Sequence, residues 1–271
     1  MDEKFLGNIS DSSSEEKHSS FPEGYTIGKT KYVIITGSVI SGIGKGIFSS
    51  ALGKTLQDRN LKVAPIKIEA YINIDSGTLS PYRHGEVFVL DDGTETDMDL
   101  GSYERFLEMD LTKDNFTTHG QIYKKILEQE RKGDYHGRDI QYIPHVTGEV
   151  KLILRNLAMK SKADIVLVEI GGTVGDYENL FAMESAREMA YEEGHENVCM
   201  VNLTYIVEPH HLGEFKSKAA QLGLKQLMGM GIQPDIIVCR SEHEVTQAIK
   251  EKISMNANVP IEKVFNTYDV G

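Results

Sequence analysis

Between Gly37 and Gly46 the chain reads Gly-Ser-Val-Ile-Ser-Gly-Ile-Gly-Lys-Gly, a run suited to holding a phosphate. Glycines let successive backbone N–H groups turn inward around an anion, and a helix that starts there adds a favourable dipole. Lys45 would then reach the β- and γ-phosphates of a nucleotide. The run departs from G-x-x-x-x-G-K-[ST] in two ways. Its first glycine lies two residues too far from the lysine, and Gly46 stands where a Ser or Thr hydroxyl would ligate Mg²⁺. A nucleotide used with Mg²⁺ therefore needs carboxylates from elsewhere, because this ion takes oxygen ligands together with waters and phosphates. Two places offer them. The stretch 90–101 carries Asp91, Asp92, Glu95, Asp97 and Asp99, and Glu169 closes an apolar run just before Gly171-Gly172. An acidic run alone is usually a solvated loop. Glu169 differs, since an acid ending a buried strand carries a desolvation cost that demands a partner, whether a salt bridge or a cation.

These residues need elements to position them. Apolar runs at 32–36, 62–68, 139–143, 164–170, 197–203 and 235–240 read as strands. Helix-period segments at 47–59, 122–132, 148–160, 179–193, 213–229 and 243–255 fall between them. Continuous apolar strands alternating with amphipathic helices predict an α/β domain, a mostly parallel sheet with helices on both faces. Ligands in such sheets sit at the carboxyl ends of the strands. The glycine- and acid-rich stretches follow strands 32–36, 62–68 and 164–170, so the two readings converge.

Composition narrows the class. With 29 Lys+Arg against 41 Asp+Glu the chain carries a formal charge of −12, unlike a general nucleic-acid binder, which presents a basic face. No apolar run is long enough to span a membrane, and the first twenty residues lack a secretory pattern. Cys199 and Cys239 both sit in apolar strand-like runs and read as buried, structural thiols in a reducing, cytoplasmic setting. Residues 1–24, rich in Ser and acids, read as a disordered tail; residues 25–271 read as one domain.

Longer strings carry a resemblance. KYVIITGSVISGIGKG, YINIDSGTLSPYRHGEVFVLDDGTETDMDLGSYERF, VLVEIGGTVGDYE, GEFKSK and GIQPDIIVCRS are similar to the N-terminal synthetase (amidoligase) domain of the CTP synthase family. The resemblance covers residues 31 to about 268 and implies a P-loop-type, Rossmann-like sheet related to dethiobiotin synthetase. It implies ATP-dependent amination of UTP through a 4-phosphorylated intermediate, with Mg²⁺ as cofactor and CTP as feedback inhibitor. It also implies a homotetramer, and a glutamine amidotransferase domain as ammonia source, expected to be absent from this chain.

Position by position, the resemblance implies that Lys45, Lys67 and His84 serve the chemistry. ATP would lie on Ser41, Gly42, Ile43, Gly44, Lys45 and Gly46, with Arg240 and Asp269 on the adenine side. UTP or CTP would lie on Ser41, Asp176, Tyr177, Glu178, Lys216, Lys218, Gln221 and Lys252. Asp99 and Glu169 would hold the metal. Without the resemblance, Lys216 and Lys218 read as ordinary surface lysines, and His84 reads equally as a core or loop histidine or as a residue with a chemical role.

Four departures stand out. Glu69-Ala70 replaces an Asp-Pro pair, Ser41-Gly42 replaces adjacent serines, Ala219-Ala220 replaces Pro-Thr, and an extra residue falls near His119. They put the reach of Glu69 and one phosphate contact at Ala220 in question. The alternatives are a nucleotide switch, against which Gly46 argues, and a non-catalytic P-loop scaffold.

Overall fold

The computed structural model describes residues 20–209 and 214–268. Strand β1 (Lys31–Ser38) runs through the middle of the molecule and leads through the glycine loop into α1 (Lys45–Gln57). Then come β2 (Val63–Glu69), the short turn α2 (Pro81–His84), a small antiparallel pair β3 (Phe88–Val89) and β4 (Glu95–Thr96), and α3 (Met98–Leu107). The remainder alternates: β5 (Phe116–Thr118), α4 (His119–Lys132), α5 (Thr147–Ser161), β6 (Ile165–Ile170), α6 (Leu180–Glu193), β7 (Val198–Tyr205), α7 (Lys218–Gly229), β8 (Ile236–Ser241), α8 (Gln247–Ala257) and β9 (Val264–Tyr268).

Seven strands form one parallel sheet in the order β5-β2-β6-β1-β7-β8-β9. Its alternation of side chains divides the core. Tyr32, Ile34, Val166 and Val168 point into the layer under α5 and α6, while Ile35, Val201, Leu203 and Val238 point the other way and pack with Ile43 and Phe48. The expected α/β sheet covered on both faces is what forms.

Three expectations change. Residues 139–143 are not a strand: Tyr142 and Ile143 are exposed and start a π-helical turn over Tyr142–Val146, where Pro144 has no amide to give a ladder. The outer strands β5 and β9 went unread, the first being only three residues long and the second half-exposed at the sheet edge. Of the expected tail, 1–19 lie outside the described residues, but Ser20 is buried and hydrogen-bonded to Arg155.

Candidate active site

Register brings the chemistry together. Glu169 of β6 pairs with Ile35 of β1 on one side and Lys67 of β2 on the other, so an acid and a lysine stand side by side at the carboxyl end of the sheet. Asp97 caps α3, its carboxylate accepting from the Asp99 amide at 3.0 Å, which fixes Asp99 in the first helical turn. Four residues on, the Tyr103 hydroxyl donates to Glu169 Oε2. Lys67 Nζ meets Glu69 Oε1 at 2.8 Å and also contacts Asp97 and Asp99. Lys45, at the start of α1, donates to the Gly172 carbonyl at 2.8 Å.

The electrostatics follow from burial. Desolvation pushes Glu169 up to about 7 even with Lys67 and Lys45 nearby. Burial lowers the Lys45 ammonium. Burial also works against the Lys67 charge, but Glu69, Glu169, Asp97 and Asp99 outweigh it and hold the lysine well above its ordinary value. Two lysines face four carboxylates, an acidic excess that a divalent cation would offset.

Gly46 explains itself here. A Cβ at this position would overlap the Asp99 carboxylate. The acid therefore occupies the space that a P-loop Ser or Thr would fill, and the donor set is all oxygen, as Mg²⁺ prefers. Among the described residues no three His, Cys, Asp or Glu side chains are arranged to hold a metal by themselves. An Mg²⁺ ion here would be held by one or two carboxylates, with substrate phosphates and waters completing its shell.

Ser41 and Gly42 are exposed at the loop tip, while Ile43 is buried and pegs the loop to the sheet. Gly44 adopts φ +93°, and a Cβ there would come within 2.7 Å of Arg240 Nη1, so Arg240 lies against the phosphate loop. Lys216, Lys218, Gln221 and Lys252 line one open basin of about 710 Å³, where Lys216 also pairs with Glu214. Tyr177 and Glu178 line a different cavity of about 580 Å³ with His119 and Phe181, and Asp176 accepts from the Thr173 amide at 2.9 Å. His84 packs edge-on against Tyr71, with ring centroids 5.9 Å apart. Asp269 lies outside the described residues.

The chain thus gathers Lys45, Gly46, Lys67, Asp99 and Glu169 into one cluster, puts Lys216, Lys218, Gln221 and Lys252 in one cavity and Tyr177 and Glu178 in another, and leaves Ser41 and Asp176 lining neither. Four residues were not singled out in advance as site residues. Glu69 closes an apolar strand as Glu169 does, so the same desolvation argument could have found it. Asp97 was hidden in the acidic run, Tyr103 sits one turn beyond Asp99, and Lys225 lines the lysine basin one turn beyond Gln221.

A parallel sheet, a strand–glycine loop–helix unit and a lysine–carboxylate cluster at the strand ends define a P-loop-type nucleotide-binding α/β protein. The chain belongs to the CTP synthase family: the description "CTP synthase N-terminus" matches residues 31–271. It is 50% identical over 240 residues to a CTP synthase of Methanopyrus kandleri, covering 89% of this chain and 45% of that protein. It is 51% identical over 241 residues to one of Methanosphaera stadtmanae and 50% identical over 241 residues to one of Pyrococcus furiosus, with 89% of this chain covered in each case. The chain spans about half the length of these relatives.

Proposed function

We propose that this chain is the synthetase half of a CTP synthase, carrying out ATP-dependent amination of UTP. The observation that carries the reading is the exchange between Gly46 and Asp99, a phosphate loop whose missing hydroxyl is replaced by a carboxylate on α3. The γ-phosphoryl of ATP passes to O4 of UTP, leaving ADP; ammonia then adds at C4 and phosphate departs. Asp99 and Glu169 would hold Mg²⁺, which when bound neutralises charge on the phosphates. Lys45 and Lys67 orient the transferring group, and phosphoryl transfer is chiefly positioning and charge neutralisation.

Lys216, Lys218, Gln221, Lys225 and Lys252 offer a basin for the triphosphate of UTP or of CTP as inhibitor, while Asp176, Tyr177 and Glu178 serve the base. The lysines and the pair Tyr177 and Glu178 line different cavities of one chain, and this reading has a second copy bring the two kinds of surface to one ligand. An exposed apolar surface of Ile72, Tyr142, Ile143, Tyr177 and Leu180 supports association, in line with a homotetramer. No helix among the described residues is long and apolar enough to cross a membrane, and we read the setting as cytoplasmic.

The nitrogen source follows from the thiols. Cys239 is buried while Cys199, expected to be buried, is only half-buried; desolvation raises Cys199 to about 11 and Cys239 to about 12, which disfavours the thiolate that attack on glutamine would need. The 271-residue chain is expected to make CTP from ammonium with ATP, UTP and Mg²⁺, followed by ultraviolet absorbance, and to make none from glutamine; a glutaminase domain would supply ammonia in a longer protein. Lys216→Ala and Lys218→Ala are expected to raise the UTP requirement about ten- to a hundredfold and that for ATP much less. Ammonium-dependent turnover missing from the well-folded chain and its oligomer alike would overturn the reading.

A further inference from the structure

Lys67 is held by more partners than a substrate-binding lysine can keep. An ammonium has three N–H donors, and here three carboxylates surround it: Glu69, Asp97 and Asp99. All three donors are spent before any phosphate arrives. The three acids are not equivalent. The side chains of Glu69 and Asp97 are 14% and 10% exposed, that of Asp99 29%, so Asp99 is the one that faces the opening. Asp99 is also the acid that stands in the space above Gly46.

Glu69 fits closely on its other side. Its second oxygen, Oε2, lies 2.7 Å from where a Cβ on Gly171 would be, and the Gly171 amide donates to Ile68 O at 2.7 Å. The next residue, Gly172, gives its carbonyl to Lys45. Gly171 therefore leaves room for the longer arm of Glu69 beside the turn that receives Lys45. The departure from Asp to Glu is accommodated by the structure around it.

We infer that Glu69 is a positioning residue: with Asp97 it retains Lys67 through two donors, leaving Asp99 as the exchangeable third partner. When Asp99 is drawn to a cation, the freed N–H of Lys67 turns to a phosphate without the lysine losing its place. This rests on the nucleotide reading above. Without the Glu69 bond, Lys67 competes harder for Asp99, and metal-dependent nucleotide binding weakens.

Two substitutions separate reach from charge. Glu69→Asp keeps the charge and shortens the arm; Glu69→Gln keeps the arm and removes the charge. ATP binding to the full chain is measured by calorimetry across a Mg²⁺ titration, without UTP, beside thermal unfolding and ammonium-dependent kcat and KM. Both variants are expected to raise the Mg²⁺ concentration needed for ATP binding about tenfold, with metal-free ATP binding changed little. Glu69→Asp is expected to lower kcat more than it raises KM for ATP. Wild-type Mg²⁺ dependence in Glu69→Asp would overturn the inference, since charge alone would then suffice. An equal loss of binding with and without metal, accompanied by a lowered Tm, would also overturn it and leave only a structural role. Failure of the wild-type chain to bind ATP at all would instead remove the nucleotide reading, and the inference with it.

Discussion

Two buried charge clusters sit at opposite ends of the same sheet, and they are finished differently. At the carboxyl end, Lys45 and Lys67 face Glu69, Asp97, Asp99 and Glu169, where Lys45 has a carbonyl partner and Glu169 is pushed up to about 7 by burial. At the other end, fully buried Arg155 of α5 gives every guanidinium nitrogen an acceptor. Nε meets Glu193 at 2.8 Å, Nη2 meets Glu192 at 2.8 Å, and Nη1 meets the carbonyl and hydroxyl of Ser20 at 2.9 and 3.0 Å. The Phe21 ring covers the guanidinium at 3.7 Å, and Lys151 ties α5 to Glu188 and Glu192 at 2.5 Å each. One cluster is complete without a ligand; the other carries excess acid and awaits one. Burial and charge alone do not separate a structural cluster from a functional one, whereas position at the carboxyl ends of the strands beside the glycine loop does.

The comparison breaks most directly at the functional end. Asp99→Ala and Glu169→Ala are each expected to abolish ammonium-dependent CTP formation; thermal stability should stay level in the first, where one of several crowded acids is removed, and fall modestly in the second, where the buried Tyr103 hydroxyl loses its acceptor. A Tm loss as large as that of an Arg155 variant would make the two clusters alike. Gly46→Ala should show the same functional loss by a different route, since its Cβ overlaps Asp99.

The structural end should respond in the opposite sense. Arg155→Met leaves Glu193 buried without its cation, which typically costs about 3–5 kcal/mol. Chemical denaturation is expected to show that loss. The fraction that remains folded should bind ATP normally, because Arg155 lies on the amino-end side of the sheet. A selective loss of ATP affinity with full stability would reverse the assignment of the two clusters.

How much of this was legible depended on the range of the interactions. The glycine loop, Lys45, and the acid closing β6 announced themselves because their partners follow strands in sequence, and the rule for parallel sheets told where to look. The string resemblance added Lys67 and the choice of Asp99 from a crowded acidic run. Glu69 was within reach of the desolvation argument applied to Glu169, but the space that Gly171 leaves for its longer arm was not legible. The clasp over Arg155 was read as tail, because Ser20-Phe21-Pro22-Glu23 has no periodicity. Beyond a local turn at Pro22–Tyr25, its order comes from contacts with a helix more than a hundred residues away. The division of the lysine basin from the Tyr177–Glu178 cavity was also invisible, since likeness aligns residues to a ligand without saying which cavity each one lines.

The smallest expected effect tests whether the clasp belongs to the structural cluster or only lies upon it. The Tyr25 hydroxyl donates to Glu193 Oε2 at 2.9 Å and pairs with the Tyr32 hydroxyl at 2.8 Å, joining residues 20–30 to the first strand and to α6 at once. Burial and the neighbouring carboxylate raise the phenol to about 12, so it stays a neutral donor throughout the working range. Tyr25→Phe removes only the oxygen and keeps the ring that packs beside Phe21. Deleting one hydrogen bond to a charged acceptor costs about 1.5–3 kcal/mol, and in a domain of this size each kcal/mol moves Tm by about 2–4 °C. Calorimetric unfolding is therefore expected to fall by a few degrees, with amide exchange faster over α5 and the end of α6 and unchanged around Lys45 and Lys67. In the Arg155→Met background the same change should cost less, because the two side chains share Glu193. Full additivity of the two would mean that the clasp and the charge cluster are independent, and the contrast between the two ends would then rest on Arg155 alone.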